Sequence, residues 1–374
     1  MRYPRPAYRD SGVKTEIKKS ALGGAQLEVP IFDTPITPLE NFKRVAARDN
    51  PLWVTNSTTD IQTLMAQEVV YKDDRGTQIH TDFRDSRNAI EDYDFTDWFN
   101  TTWTWVASAG GAMLKPGSIL VEDILDWERV IKWPVLSEWD FASRAADFMR
   151  NEYKPGKVMH YDIGRGGTER FISLVGGYTE GMLAMAEEPE AVLDLLNRYA
   201  DFEIELFDTI NALYPLDMVT YHDDWGTERD TFFSERMMEE IVFAPTKRII
   251  DHIKSKGVAF ELHSCGNIAR FLPYMADLGA DFLQIQRRAV NIPEMKKNFG
   301  DKIGFNSGIE GLPFGASVSS EEAARLIKNT VDIYGKGGGF YTSIFSGNTE
   351  QLWMMLAELY AYSREYYDIE QGRA

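Results

Sequence analysis

Short β-prone runs alternate with longer helical segments along the second half of the chain, and this alternation constrains the fold more than any other feature. The helical segments are 187–213, 235–256 and 267–278, and Ser319 precedes acidic residues as a helix start does. Short strands joined by helices predict parallel pairing through right-handed crossovers. The six β-prone runs lie at 158–163, 218–222, 258–263, 281–285, 302–306 and 339–344.

The first half of the chain offers fewer strand candidates. They are 51–56 and the Trp- and Gly-rich region 102–125, while 78–83 is a candidate excursion or hairpin. A closed barrel needs eight strand–helix units. The chain offers about that number: one strand near 53, one near 104–120 and the six later runs. A doubly wound open sheet is the alternative, but no G-x-G-x-x-G follows the first strand. The sequence therefore predicts an α/β fold: a (β/α)8 TIM barrel over 49–374 with an N-terminal extension over 1–48.

Charge and composition limit the classes of partner. The 374 residues carry a net charge of −18, and such a surface repels phosphate backbones and anionic lipid, so no nucleic-acid or membrane partner is expected. There is no run of 18 apolar residues and no apolar stretch near Met1, which predicts a cytoplasmic protein. Cys265 is the only cysteine, so no disulfide can form within the chain.

The strongest chemical signal is the pair His263 and Cys265 in the segment FELHSCG. The carboxyl ends of barrel strands form the active-site face, and these two residues stand two apart at such an end. Their side chains can therefore point to the same side, and imidazole with thiolate suits Zn²⁺. A core histidine beside a core cysteine is the alternative interpretation of the same spacing.

A zinc site needs at least one further ligand, and the sequence leaves that ligand open. Glu261 has the same strand phase, although four residues of extended strand span about 13 Å. His222, Asp223 and Asp224 at the end of the preceding strand are the other candidates. For these carboxylates, helix capping or pairing with an arginine is an equally ordinary role.

Several segments between about 95 and 362 resemble the uroporphyrinogen decarboxylase superfamily, and within it the cobamide-dependent methyltransferase branch. The most specific of them is His263-Ser264-Cys265-Gly266-Asn267, which is similar to the zinc site of methyltransferases that use a corrinoid protein. The decarboxylase activity itself is not expected, because no Arg-rich segment is present near 30–60. The other segments are 97–99, 103–111, 133–134, 222–226 and 281–284.

The resemblance implies a zinc-dependent methyltransferase of the O-demethylase type. It would move a methyl group from a small methylated substrate, an aryl methyl ether, to the Co(I) of a corrinoid partner protein. His263, Cys265 and Glu261 are the expected zinc ligands, with Asp224 or His222 positioning or protonating the leaving oxygen. The interpretation allows a homodimer.

One departure from the family pattern keeps the ligand set open. Thiol-methylating members supply a second cysteine after the last strand, and 345–349 contains none. Either an oxygen ligand such as Glu261 or Asp224 replaces that cysteine, or zinc is absent. The alternatives to demethylation are methyl transfer from methylcobamide to a thiol or folate, and a non-catalytic barrel that binds a corrinoid or another ligand.

Overall fold

The computed structural model describes residues 3–19, 26–71, 91–109, 111–313, 316–344, 346 and 348–373. Its strands are β1 (Lys14–Lys19), β2 (Gln26–Ile31), β3 (Ile61–Met65), β4 (Tyr93–Thr96), β5 (Thr102–Val106), β6 (Gly111–Leu114), β7 (Val158–Ile163), β8 (Met218–His222), β9 (Ala259–Ser264), β10 (Phe282–Ile285), β11 (Gly304–Ser307) and β12 (Phe340–Thr342). Its helices are α1 (Pro38–Ala47), α2 (Trp127–Val130), α3 (Phe141–Asn151), α4 (Gly167–Val175), α5 (Tyr178–Glu187), α6 (Pro189–Asn211), α7 (Glu235–Met237), α8 (Phe243–Ser255), α9 (Leu272–Leu278), α10 (Ile292–Phe299), α11 (Ser320–Tyr334) and α12 (Thr349–Glu370).

Seven parallel strands form the central sheet, in the order β12-β11-β10-β9-β8-β7-β3. The sheet curls, because the chain just before β3 reaches back to the last strand through a parallel bridge between Asn56 and Thr342. The Thr342 amide donates to the Thr55 carbonyl over 3.0 Å, and the Ser57 amide donates to the Thr342 carbonyl over 2.9 Å. The predicted mixed α/β fold with parallel strands and intervening helices is confirmed at this level.

Two of the predicted barrel strands have a different role. The region 102–125 does not join the parallel sheet, since β5 pairs antiparallel with β4 and β6 in a separate three-stranded sheet. Residues 51–56 supply only the bridge at Asn56, and the strand that enters the sheet is β3. The candidate strand at 78–83 lies outside the described residues. Within the described part of the chain, the parallel sheet therefore has seven strands where about eight were predicted.

Alternation along the strands sorts side chains into two layers. Val219 and Tyr221 on β8 and Phe260 and Leu262 on β9 belong to the large apolar cluster that packs against the surrounding helices. The opposite faces of the same strands point to the interior of the curled sheet. That interior is apolar at the amino ends of the strands, where Met218 belongs to a second cluster, and polar at the carboxyl ends. The chemistry-bearing residues are therefore collected at one end of the sheet.

The segment before residue 49 contacts both the sheet and the last helix. On α1, Phe42 and Val45 pack with Ile61 and Met218 in the second apolar cluster, which closes the amino end of the sheet interior. The hairpin of β1 and β2 lies against α12. Among the described helices, none combines the length and the apolar composition that crossing a bilayer requires.

Candidate metal centre

The pairing of β8 with β9 places the candidate residues side by side. His222 is the register partner of His263, so both imidazoles stand at the same level of the sheet, and their ring centroids are 4.4 Å apart. Cys265 follows two residues later on the same side. Between them, Ser264 points away and accepts a hydrogen bond from the Trp225 amide over 3.0 Å. This bond ties the loop after β8 to the last residue of β9.

Gly266 lets the two loops approach closely. Its φ of +83° is a left-handed conformation that favours glycine, and a Cβ there would lie 2.2 Å from the Gly226 carbonyl oxygen. Only glycine satisfies both conditions. The close approach brings Asp224, just beyond the end of β8, within reach of the Cys265 thiol.

Three candidate ligand atoms converge at this point, from Asp224, His263 and Cys265, all within 4.8 Å of one another. His263 Nε2 lies 3.3 Å from Cys265 Sγ and 3.5 Å from Asp224 Oδ1. Tetrahedral zinc, with metal–nitrogen and metal–oxygen distances of about 2.1 Å and metal–sulfur of about 2.3 Å, requires ligand separations of about 3.4 to 3.6 Å. The two separations from His263 and the donor types of the three residues are therefore close to what zinc requires, with a coordination position left for water or substrate.

Neighbouring hydrogen bonds orient two of the three ligands. The Cys265 amide donates to Asp224 Oδ1 over 2.7 Å, and the Gln286 side-chain amide donates to Cys265 Sγ over 3.1 Å. The Gln286 carbonyl oxygen in turn accepts from the Gly266 amide over 3.2 Å. Such outer contacts hold ligands in place and tune a metal site.

The electrostatics of the site favour a neutral imidazole and a protonated thiol in the absence of a cation. Burial, and then the neighbouring His222, lower the pKa of His263 to about 4, so its ring is uncharged at neutral pH. Burial and the Asp224 carboxylate raise the pKa of the Cys265 thiol well above its ordinary value. A coordinated cation has the opposite effect on a thiol and deprotonates it.

His222 stands next to these three ligand atoms and has its own acidic partner. Its Nε2 lies 3.0 Å from Asp162 Oδ1 at the end of β7. A carboxylate close to an imidazole beside His263 is the arrangement expected of a group that gives or takes a proton.

Glu261 lies outside the group of converging ligand atoms, one level deeper in the sheet interior. It is fully buried and accepts hydrogen bonds from Thr220 over 3.0 Å, from the Gln284 side-chain amide over 3.1 Å and from Tyr341. Burial raises its pKa to about 7, against these hydrogen bonds. The Glu261 side chain does point into the sheet interior, as the strand alternation predicted. Its oxygens, however, accept hydrogen bonds from a separate polar network and lie away from the three converging atoms.

That network includes two residues the sequence interpretation missed. Tyr341 reaches Glu261 from β12, and His160 on β7 shares Thr220 with it through an Nε2–Oγ1 contact of 2.8 Å. Both occupy inward-facing positions of strands that were predicted. Reading the inward phase of every strand, and not only the strand ends, would have found them.

Asp223 has a structural role. It is fully buried and accepts from the Thr168 and Glu169 amides over 3.2 and 3.0 Å, so it caps the first turn of α4. Gly166 makes this packing possible, because a Cβ there would lie 2.5 Å from Asp223 Cβ and 2.7 Å from the His222 carbonyl oxygen. The helix-capping interpretation thus holds for Asp223, while Asp224 faces His263 and Cys265.

A known family profile matches the middle of the chain. The family profile described as Uroporphyrinogen decarboxylase (URO-D) matches residues 171–306, which include all three converging residues. A methyltransferase from Methanosarcina mazei has a similar structure at 12% identity, with 93% of this chain and 96% of that chain covered and a TM-score of 0.50. No curated protein sequence matches the chain.

Other solved structures are less similar. An intracellular xylanase from Thermoanaerobacterium saccharolyticum has 10% identity and a TM-score of 0.31, over 55% of this chain and 70% of that one. An L-ribulose 3-epimerase has 15% identity and a TM-score of 0.34, over 64% of this chain and 82% of that one. The profile match and the methyltransferase similarity together support a uroporphyrinogen-decarboxylase-like fold.

Proposed function

We propose that this chain is a zinc-dependent methyltransferase that transfers a methyl group from a small methylated substrate, an aryl methyl ether, to the Co(I) of a corrinoid protein. The observation that carries the proposal is the convergence of ligand atoms of Asp224, His263 and Cys265, with His263 Nε2 at distances from the other two that are close to those of tetrahedral zinc. The fold similarity to a methyltransferase agrees with it.

Asp224, His263 and Cys265 would hold the zinc ion. Bound there, zinc would supply Lewis acidity for a substrate oxygen that is a poor leaving group at neutral pH. As the bond between that oxygen and the methyl carbon breaks, the oxygen must gain a proton. His222, with Asp162 on one side and His263 on the other, is the group that we assign to this proton transfer.

The corrinoid partner would dock over the carboxyl ends of β8 and β9, where these side chains are partly accessible. The side chain of Asp224 is 28% exposed and that of His263 is 16% exposed.

We also propose that residues 1–48 form an N-terminal extension and that residues 49–374 form the barrel.

The test measures metal and turnover in the same samples. We expect one zinc ion per chain by elemental analysis, and loss of the Co(I) absorbance of free cob(I)alamin when a methoxyarene is added. Cys265→Ala and His263→Ala should lose metal and turnover together. The matched control is His252→Ala, which removes an imidazole bonded to Asp208 on the helical layer and should change neither.

Three results would contradict the proposal. Full activity in a metal-free Cys265→Ala protein would remove zinc from the mechanism. Loss of methylcobamide with a thiol or folate acceptor, and not with a methoxyarene donor, would support transfer in the other direction. Stoichiometric zinc without methyl transfer in either direction would support a binding protein.

A further inference from the structure

A cavity of about 600 Å³ opens beside the metal centre, between the two edges of the parallel sheet. In the described part of the chain, β3 and β12 do not pair with each other, and only the Asn56 bridge joins this side of the sheet. The β1–β2 hairpin covers the gap. We call this space the edge cavity; it is bounded by β3, by residues 341–346 and by the hairpin. Its size is within the range of small-molecule sites.

One end of the edge cavity is basic. Lys18 on β1 and Lys154 after α3 line it, and Lys157 lies beside them without lining it. A single carboxylate, Glu16, serves all three ammonium groups. In a chain of net charge −18, a local excess of positive charge facing a cavity is unusual and attracts anions.

Lys18 is the lysine with the weakest partners. Its side chain is only 21% exposed, its Nζ donates to the Ile61 carbonyl over 3.2 Å, and its nearest Glu16 oxygen is 3.9 Å away. Burial, and then the charge of Lys157, lower its pKa to about 8, so it remains charged at neutral pH. Partial burial of the Lys18 ammonium without a close counter-ion costs free energy, and an anion bound in the cavity would offset that cost.

The acidic residues that line the edge cavity have other partners. Glu152 receives a hydrogen bond from Arg144 over 2.9 Å, and Glu68 receives one from the Met65 amide over 2.9 Å. Asp162 faces His222, and Glu261, the fourth acidic residue of the lining, accepts from Thr220 and Gln284. The ion pairs of Lys18 and Lys154 are instead with Glu16.

The remaining walls specify the body of a ligand. Leu27, Ile61, Met65 and Ile344 give apolar surface along the middle of the cavity, and Asp162 and Gln284 lie at its far end. Gln284 is the register partner of His263, so this end adjoins the metal centre. The cavity thus has a basic end, an apolar middle and a polar end next to the proposed chemistry.

Its length favours a single ring. Lys18 contacts β3 at Ile61, and Asp162 pairs with Met65 four residues further, a distance of about 13 Å along an extended strand. A hydrogen bond of about 3 Å at each end leaves about 7 Å for the ligand. A benzoate with one para substituent has this length.

We propose that the edge cavity binds a small aromatic carboxylate, with its acidic group on Lys18 and Lys154 and its ether oxygen accepting from the Gln284 side-chain amide. This inference rests on the proposed function only in taking the bound acid as the methyl donor. The binding site itself stands on the cavity and on its lysines.

Calorimetric titration of the full chain with para-methoxybenzoate and with the neutral para-methoxybenzamide tests the proposal. The acid should bind at least about tenfold more tightly than the amide, as loss of a charged hydrogen bond implies. Lys18→Met should remove this preference and leave amide binding unchanged. Lys157→Met removes the same charge from the same cluster outside the cavity, and it should keep the preference. Lys18→Gln, together with thermal unfolding of each variant, separates binding from folding.

Equal affinity for acid and amide, no saturable binding of the acid at millimolar concentration, or an equal loss in Lys18→Met and Lys157→Met would overturn the proposal. The titration needs neither added zinc nor the corrinoid partner, because the lysines of the edge cavity carry the preference for the acid. Acid binding without methyl transfer would leave this inference standing and reject the proposed function. Methyl transfer from neutral ethers without any preference for acids would reject this inference and leave the proposed function standing.

Discussion

Glu203 on α6 is a buried carboxyl group whose protonation state should set part of the pH dependence of stability. It is 1% exposed, and its Oε1 lies 2.5 Å from the Tyr199 hydroxyl, which also lies 2.9 Å from the Arg165 carbonyl oxygen. Tyr199 has one proton for two acceptors. A protonated Glu203 resolves this, because it donates to Tyr199, and Tyr199 then donates to Arg165 in the loop before α4.

The size of the effect follows from the pKa. Burial raises the pKa of Glu203 from 4.5 to about 7, against the hydrogen bond from Tyr199 and the charge of Arg170. This increase corresponds to about 3 kcal/mol. Below pH 4.5 the carboxyl is protonated in both the folded and the unfolded chain. Between pH 4.5 and 7 only the folded chain keeps the proton, so the free energy of unfolding falls as pH rises, and the full cost is present above pH 7.

Glu203→Gln replaces the carboxyl by a neutral group of the same shape. We expect the free energy of unfolding of this variant, relative to the unaltered chain, to increase by about 3 kcal/mol from below pH 4.5 to above pH 7. Urea unfolding across this range measures it, provided that the denaturant slope stays constant. Glu205→Gln, on the exposed side of the same helix, is the control and should show no such trend. A difference between Glu203→Gln and the unaltered chain that does not vary with pH would refute the reasoning.

Two further predictions concern packing near the site. Gly166→Ala should destabilise the chain by about 1–3 kcal/mol and weaken zinc binding about tenfold, because the new Cβ displaces Asp223, the neighbour of the proposed ligand Asp224. Thermal unfolding measures the first effect and zinc titration the second. An unchanged zinc affinity would contradict this prediction. Gly111→Ala, where nothing lies within 4 Å of the new Cβ, is its control. Arg170→Met should cost about 3–5 kcal/mol in denaturant unfolding, because it leaves the fully buried Asp97 carboxylate without its cation, and a loss below about 1 kcal/mol would reject that reasoning.

The sequence predicted the regular part of the fold and failed where pairing depends on distant partners. The helix expected over 187–213 is α6 (Pro189–Asn211), and Ser319 caps α11 by accepting from the Glu322 amide. These features are local, since periodicity and caps depend on neighbours in sequence. The direction of pairing in 102–125 is not local. Short aromatic runs of this kind fit parallel and antiparallel sheets alike, and β5 found its partners in β4 and β6.

The candidate site divides in the same way. The spacing of His263 and Cys265 and their place at a strand end are local facts that the sequence contains. The sequence could not choose the third converging residue among Glu261, His222, Asp223 and Asp224. That choice depends on the register of β8 against β9, which sets Glu261 beside Thr220 and His222 beside His263. Asp224 then comes within reach of the cysteine because the two following loops touch.

Residues that hold the two loops together are therefore as important to the site as the three converging residues themselves. Ser264 accepts from the Trp225 amide, the Trp225 indole donates to Thr168 on α4, and Asp223 caps that same helix. The loop carrying Asp224 is therefore held on one side by β9 and on the other by the first turn of α4. Because both anchors act through backbone groups and buried side chains, Asp224 has little freedom to leave the position where its oxygen meets His263 and Cys265. A metal site built from these three side chains would depend on such preorganisation, since each ligand that had to be ordered on binding would weaken affinity for the ion.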